Sequence, residues 1–227
     1  MDAVSNDDLL RLGPALKGRA LIGAGSGVAI GLPQNFALGH AANANRLPRA
    51  TGLQAVLAVL AGSCSLATHR QAADFMQRGH AARAIDPMRI ACGADVAAQV
   101  LAWAAPLLAK GPVLVYSTAD PDSVKSIQRR LGIEAAGAMV ENTIARIARG
   151  LVDLGVRQLV VAGGETSGAC AQALGVRQMQ IGPQIDPGVP WCHAQTVAAP
   201  GDGLHLALKS GNFGTDDFFT KAFTLLP

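Results

Sequence analysis

The chain has few aromatic and few charged residues: aromatics make up 4% and charged residues 15% of its 227 positions. The first shortage argues against an aromatic-rich β-sandwich. The second, beside a hydrophobic fraction of 50%, argues against disorder, which needs high charge and low hydrophobicity. Net charge is only +3 and no Lys/Arg cluster occurs, so the basic footprint of a nucleic-acid-binding protein is missing and no such partner is expected. Cys64, Cys92, Cys170 and Cys192 form no C-x-x-C pair, which reads as reduced thiols rather than a disulfide framework. The most apolar helix-length stretch, Val96 to Ala109, contains Gln99 and Pro106 and is too short to cross a bilayer. The start, Met1-Asp2-Ala3-Val4-Ser5-Asn6-Asp7-Asp8, is acidic and polar, unlike a secretion signal. A soluble, cytoplasmic protein without a membrane partner is the expectation.

Catalytic signatures are also scarce. No G-x-x-x-x-G-K-[ST], G-x-S-x-G or H-E-x-x-H occurs. Gly23-Ala24-Gly25-Ser26-Gly27 lacks the G-x-G-x-x-G spacing, and no Asp or Glu lies between Asp8 and Asp74 to hold a ribose. That turn stays open between a ligand-facing and a purely structural role. His40, His69, His80, His193 and His205 are dispersed, and His205, inside an apolar strand, reads as structural. Cys64 has no evident partner and reads as a packed small thiol, while a hydrolase built on Ser26 lacks a base.

What the chain does have is strand followed by helix, repeatedly. A short helix over Asp7 to Leu16 precedes a strand at Ala20 to Gly23, and Gly31 to Thr51 reads as a long polar loop. A buried strand, Ala55 to Ala61, then leads through Gly62-Ser63-Cys64-Ser65 into a helix over Leu66 to Arg78, with Ser63 or Ser65 as N-cap. Met88 to Ala91 reads as a short strand, Asp95 to Ala109 as a helix and Pro112 to Ser117 as a strand. Asp120-Pro121 opens a helix over Ser123 to Leu131, and Glu134 to Leu154 is helical with Val140, Ile144, Ile147 and Leu151 on its apolar face. Glu141 is expected at the surface. Gln158 to Ala162, Gln178 to Ile181 and Leu204 to Leu208 are the remaining strands. Gly182 to Trp191 reads as a stiff proline-rich loop walling a site, and Thr215 caps a closing helix. The alternation predicts one α/β domain over residues 1–227: an open, mostly parallel sheet with helices on both faces.

The most informative stretch is Gln158-Leu159-Val160-Val161-Ala162-Gly163-Gly164-Glu165-Thr166-Ser167-Gly168, an apolar strand stopping at two glycines before a small-residue helix from Ala169 to Leu174. Glycines let backbone approach a ligand, and the free N–H groups of a first helical turn attract anions. Ligands of open α/β sheets bind beyond the carboxyl ends of the strands, so the turns at Gly62, Gly163 and Ser210 are expected to share one edge. That edge would offer the hydroxyls of Ser63, Ser65, Thr166, Ser167 and Ser210, the carboxylate of Glu165 and the cation of Lys209. The set suits a nucleoside triphosphate, with N–H groups and lysine for phosphates and a carboxylate for Mg²⁺ or an ordered water.

Four ordered motifs resemble the four-carbon acid sugar kinase family. They are Gly62-Ser63-Cys64-Ser65 with Ala67-Thr68 and Gln71; Val161 to Ala169; Ile181-Gly182-Pro183 with Asp186 to Trp191; and Leu206 to Gly214 with Asp217-Phe218-Phe219. The resemblance covers nearly the whole chain but only the C-terminal, nucleotide-binding half of that family. It implies ATP-dependent phosphorylation of a 3-oxo-tetronate, threonate or erythronate. The implied ATP contacts are Ser63 or Ser65, then Gly163, Gly164, Glu165, Thr166 and Gly211; Lys209 and Ser210 join them from residue chemistry. The catalytic base stays unassigned. The family's Ala-Asp-Asp-x-Thr-Gly-Ala motif, carried by its N-terminal substrate-binding domain, does not occur here. The expectation is a domain needing that partner in cis or trans; a non-catalytic nucleotide- or metabolite-binding regulatory module is the alternative.

Overall fold

The computed structural model describes residues 2–37, 47–48, 56–117 and 132–226. The chain divides into two compact units, Met1–Ala44 and Asn45–Pro227. In the first, helix α1 (Asn6–Ala15) starts at a capping box in which the Ser5 side chain accepts from Asp8 N and the Asp8 side chain accepts from Ser5 N. Two 3-10 turns follow, Ser26–Ile30 and Pro33–Phe36. Asn35 Nδ2 donates to Gly13 O (2.6 Å), and Gln34 Nε2 donates to Leu10 O and Gly31 O. The strand expected at Ala20 to Gly23 does not form: three apolar residues before a glycine run find no neighbouring strand among the described residues of this unit.

The second unit is a seven-stranded sheet in the order β2-β3-β1-β4-β7-β6-β5. The strands are β1 (Val56–Ala61), β2 (Ala81–Ala84), β3 (Val113–Tyr116), β4 (Val156–Ala162), β5 (Gln180–Asp186), β6 (Val189–Thr196) and β7 (Ala199–Lys209). The first five strands of that spatial order are parallel, and β6 and β5 add an antiparallel hairpin beside β7. The helices are α2 (Leu66–Gln77), α3 (Pro87–Ala91), α4 (Val96–Leu108), α5 (Ile133–Asp153), α6 (Gly164–Ala173) and α7 (Phe218–Ala222).

The β-strand period of two divides the apolar runs between two cores. Ala58 and Leu60 of β1, with Leu159 and Val161 of β4, face α4, α5 and α6, where Val100, Ile144, Ile147, Leu151 and Leu174 are buried. Val59 and Ala61, with Val160 and Ala162, face the other way, toward Phe75 of α2, Phe218 and Phe219 of α7, and Trp191. Strands buried on both faces therefore read as continuous apolar runs, as the sequence does.

Several local expectations are corrected. Met88 to Ala91 lies in helix α3, because Asp86 caps Met88 N and Pro87 takes the first helical position. Ala81–Ala84, an alanine-and-arginine run of low β propensity, is nonetheless the edge strand β2, held by pairing with β3. The proline-rich loop is most of a hairpin: β5 and β6 turn at Pro187-Gly188, Gly188 has φ +80°, and Asp186 pairs with Val189. Pro183 sits where the β5–β6 register shifts, and Pro190 lies outside the Cys192–Thr196 run that pairs with β7. The helix expected over Ser123 to Leu131, with its Asp120-Pro121 start, lies outside the described residues.

Candidate functional site

Strands β1, β4 and β7 end side by side. Gly62 N–H donates to Ala162 O (2.9 Å) and Gly163 N–H to Lys209 O (2.8 Å), so the three following turns start level. The chain leaves β1 for β2 and β3 on one side and reaches β4 and β7 on the other, so Gly62 and Gly163 flank the topological switch point.

The turns touch one another. A Cβ on Gly62 would lie 2.1 Å from Thr166 Oγ1, and one on Gly211 would lie 2.3 Å from Ser63 Oγ. Gly163, at φ +125°, is also crowded: a Cβ there would meet Thr166 Oγ1 at 2.9 Å. Overpacking of this kind costs about 1–3 kcal/mol, and Gly62→Ala is expected to lose stability in that range. Adding Thr166→Ala, which removes the colliding atoms, should recover part of it. Urea unfolding of both single variants and the double measures the coupling, and strictly additive effects would show that the two turns do not press together.

Helix α6 begins at Gly164, so Glu165-Thr166-Ser167 is its first turn and not a separate loop before a helix at Ala169. Gly163 provides no side-chain cap, which leaves the N–H groups of Gly164, Glu165 and Thr166 without intrahelical partners at the positive end of the helix. A Cβ on Gly164 would meet no atom within 4 Å, and Gly164 and Glu165 are exposed at this helix start. The start of α2 is closed instead, because Ser65 Oγ accepts from Thr68 N (3.2 Å). Ser65 Oγ also donates to Gly211 O (2.6 Å), whereas Ser63 Oγ accepts from Ser65 N and its proton has no acceptor among the described residues. Ser63 is thus the serine of this turn with a donor to spare.

Lys209 is placed differently from the phosphate-facing position expected of it. The alternation of β7 puts it on the face of Ala207, under α2, and it is fully buried. Its Nζ donates to Thr68 Oγ1 (3.1 Å), Ser210 O (3.2 Å) and Gly211 O (2.8 Å), all uncharged. Burial pushes its pKa down from 10.5 to about 8. Between those values the unfolded chain holds a proton that the folded chain has released, so Lys209 makes stability rise with pH across that window. Urea unfolding at pH 7.5 and pH 10 should show this rise in the wild type and a smaller one in Lys209→Met; equal rises would count against it.

Ser210 and Glu165 are exposed at the edge. Glu141 of α5 reaches Glu165, and its pKa is raised first by burial and then by the facing carboxylate. It was expected at the surface; its place at the edge depends on how α5 packs beside α6. Cys64, expected as a packed thiol, is exposed. His205 is buried, with Nε2 3.0 Å from Pro48 O and its ring beside His193, as a structural histidine should be. Asp186, quoted in a motif but given no role from the sequence, accepts from Thr215 N (2.8 Å) and Thr215 Oγ1 and pairs with Lys221, anchoring the end of the 210–215 turn to the hairpin. Burial raises its pKa, but the hydrogen bonds from Lys221 and Thr215 outweigh that and hold the carboxyl below its ordinary value.

An uncapped helix start beside touching glycine turns, at the switch point of a parallel sheet, is the setting in which α/β domains bind anionic ligands such as nucleotides. Comparison with known proteins agrees. Residues 58–219 match the family described as the nucleotide-binding C-terminal domain. The chain is 50% identical over 224 residues to the 3-oxo-tetronate kinase of Pseudomonas fluorescens, covering 97% of this chain and 50% of that protein. It is 52% identical over 229 residues to the 3-oxo-tetronate kinase of Burkholderia multivorans, covering 99% and 51%. A crystal structure of Haemophilus influenzae protein HI1011 superposes with a TM-score of 0.73 at 34% identity, covering 100% of this chain and 53% of that one. The chain belongs to the four-carbon acid sugar kinase family, in the part formed by its nucleotide-binding C-terminal domain. It spans about half the length of the curated relatives it matches. No helix among the described residues is long and apolar enough to cross a membrane.

Proposed function

We propose that this chain binds ATP as the phosphoryl donor of a kinase acting on a four-carbon acid sugar, of the 3-oxo-tetronate class for which its relatives are named. The observation that carries the reading is the uncapped start of α6 at the exposed Gly164, whose free N–H groups suit an anion. Ser63, Gly163, Glu165, Thr166, Ser210 and Gly211 are the remaining contacts of this reading. In-line transfer needs the acceptor hydroxyl held against the γ-phosphate, a task for an N-terminal substrate-binding domain in cis or trans.

Mg²⁺ fits the donor set. It takes hard oxygen ligands, commonly one or two carboxylates together with substrate phosphates and water. Glu165 and Glu141 provide two facing carboxylates, and the described residues contain no larger cluster of His, Cys, Asp or Glu, so phosphate oxygens and water complete the shell. The ion would supply neutralisation of phosphate charge.

Calorimetric titration of the folded chain with Mg-ATP is expected to give saturable binding, together with a thermal shift that grows with ligand concentration. Absence of both would remove the reading. Turnover of a tetronate when the substrate-binding domain is added separates a kinase half from a purely regulatory nucleotide-binding module, which would bind ATP and turn nothing over.

A further inference from the structure

Beneath the 210–215 turn lies a polar network unlike the apolar core around it. Ser65, Thr68 and Gln71 follow one another at intervals of three along one stripe of α2, and all three reach the turn. Gly211 O accepts from Ser65 Oγ (2.6 Å), Thr68 Oγ1 (3.0 Å) and Lys209 Nζ (2.8 Å). The Gln71 amide is buried, and its Nε2 lies at 3.0, 3.2 and 3.0 Å from the carbonyls of Phe213, Gly214 and Thr215. Those three oxygens fix the amide's orientation, since the reverse would set Oε1 against them. Gln71 Oε1 is left buried with no partner among the described residues. A buried ammonium whose partners are all uncharged and an unsatisfied amide oxygen are both costly, and both occur under this one turn.

The peptide geometry says what these groups achieve. No described peptide bond is cis, and in a trans peptide the C=O and the next residue's N–H point in opposite directions. Drawing the carbonyls of Gly211, Phe213 and Gly214 inward therefore turns the N–H groups of Asn212, Gly214 and Thr215 outward. Thr215 N–H accordingly points away from Gln71, to a carboxylate oxygen of Asp186 at 2.8 Å. The N–H groups of Asn212 and Gly214 have no acceptor among the described residues, and Asn212 is exposed.

We propose that Ser65, Thr68, Gln71 and Lys209 form a latch that holds the turn with its carbonyls inward and the Asn212 and Gly214 N–H groups outward, as donors to the phosphates of a nucleotide. The proposal rests on the nucleotide reading above. Lys209 then acts on the phosphates through a peptide: its charge polarises the Gly211 carbonyl and strengthens the Asn212 N–H on the far side. These are positioning residues, in contact with the turn and not with the ligand. The lowered pKa of Lys209 agrees with a cation held where only peptide dipoles compensate it.

The test compares ADP and adenosine binding by calorimetry in the wild type, Thr68→Val, Thr68→Ser, Gln71→Leu and Lys209→Met, with amide NMR shifts followed during the ADP titration. Thr68→Val and Gln71→Leu are expected to weaken ADP by about tenfold, the equivalent of one strong hydrogen bond, and to leave adenosine affinity unchanged. Thr68→Ser, which keeps the hydroxyl, should restore ADP binding, and the wild-type amides of Asn212 and Gly214 should shift with ADP but not with adenosine. Wild-type ADP affinity in folded Thr68→Val and Gln71→Leu, or equal loss of ADP and adenosine, would overturn the latch and leave nucleotide binding intact. A wild type that binds neither ligand would instead overturn the nucleotide reading. Should Lys209→Met not fold, the near-isosteric Thr68→Val and Gln71→Leu carry the comparison.

Discussion

Gly164→Val is expected to leave the fold standing and to weaken ATP binding at least about 100-fold, because it blocks donors worth roughly 1.5–3 kcal/mol each to a charged phosphate. Two adjacent glycines differ in what they tolerate. Gly163 has φ +125° and a crowded Cβ position, so any side chain there damages the protein itself. Gly164 has ordinary helical geometry, and a Cβ there meets nothing within 4 Å. Valine is a somewhat better helix former than glycine, so stability should stay within about 0.5 kcal/mol of wild type or rise slightly. Its methyl groups would crowd the backbone of the first turn, where an anion would approach the N–H groups. Calorimetry with Mg-ATP and urea unfolding on the same preparation decide the matter. A well-folded Gly164→Val that binds ATP like the wild type would show that the α6 N-terminus is not the phosphate cradle.

Trp191→Ala is expected to cost about 3–5 kcal/mol of unfolding free energy, the range for deleting a large buried aromatic. Trp191 is fully buried on β6 against the α2/α7 core, and its Nε1 donates to Ala222 O at 2.9 Å. Alanine would leave a cavity and remove one of the two donors to Ala222 O, which keeps only the Leu225 N–H at 3.2 Å. Trp191→Phe keeps most of the packing and removes the donor, and should cost only about 1–2 kcal/mol. Equal losses in the two variants, read from urea midpoints at constant m-value, would assign the whole effect to the hydrogen bond. The position was expected on a loop walling a site. In the structure it ties the hairpin to α7, and the hairpin carries the Asp186 that holds Thr215.

The turns at Gly62, Gly163 and Ser210, expected on one edge, do meet there, for a reason visible in the chain, while Lys209 and Ser167, expected with them, are buried behind it. Apolar runs ending in glycine mark buried parallel strands, and their carboxyl ends share an edge in any open parallel sheet. The helix starts were legible too: a cap at Ser63 or Ser65, which proves to be Ser65, and a helix from Asp95, which proves to be its cap, because capping is a local matter of hydroxyl or carboxylate against the N–H groups of the first turn. Helix α3 could have been read from Asp86-Pro87 by the same local rule. The face of Lys209 was also within reach: it stands two residues beyond Ala207 on an alternating strand, under α2 and away from the open edge.

By itself, then, the sequence determined the class of fold, the strand-to-helix turns and the family, since each is written in contiguous residues and their order. Tertiary structure decided the rest. It made Ala81–Ala84 a strand by pairing it with β3, and made most of the proline-rich stretch a hairpin by pairing it beside β7. It brought Glu141 to Glu165 across 24 positions, and Thr68 and Gln71 under a turn more than 140 positions away. It turned Lys209 from an expected phosphate contact into the support of a carbonyl. Those outcomes depend on which surfaces meet and which way each peptide faces when they do, and no local pattern of residues encodes that.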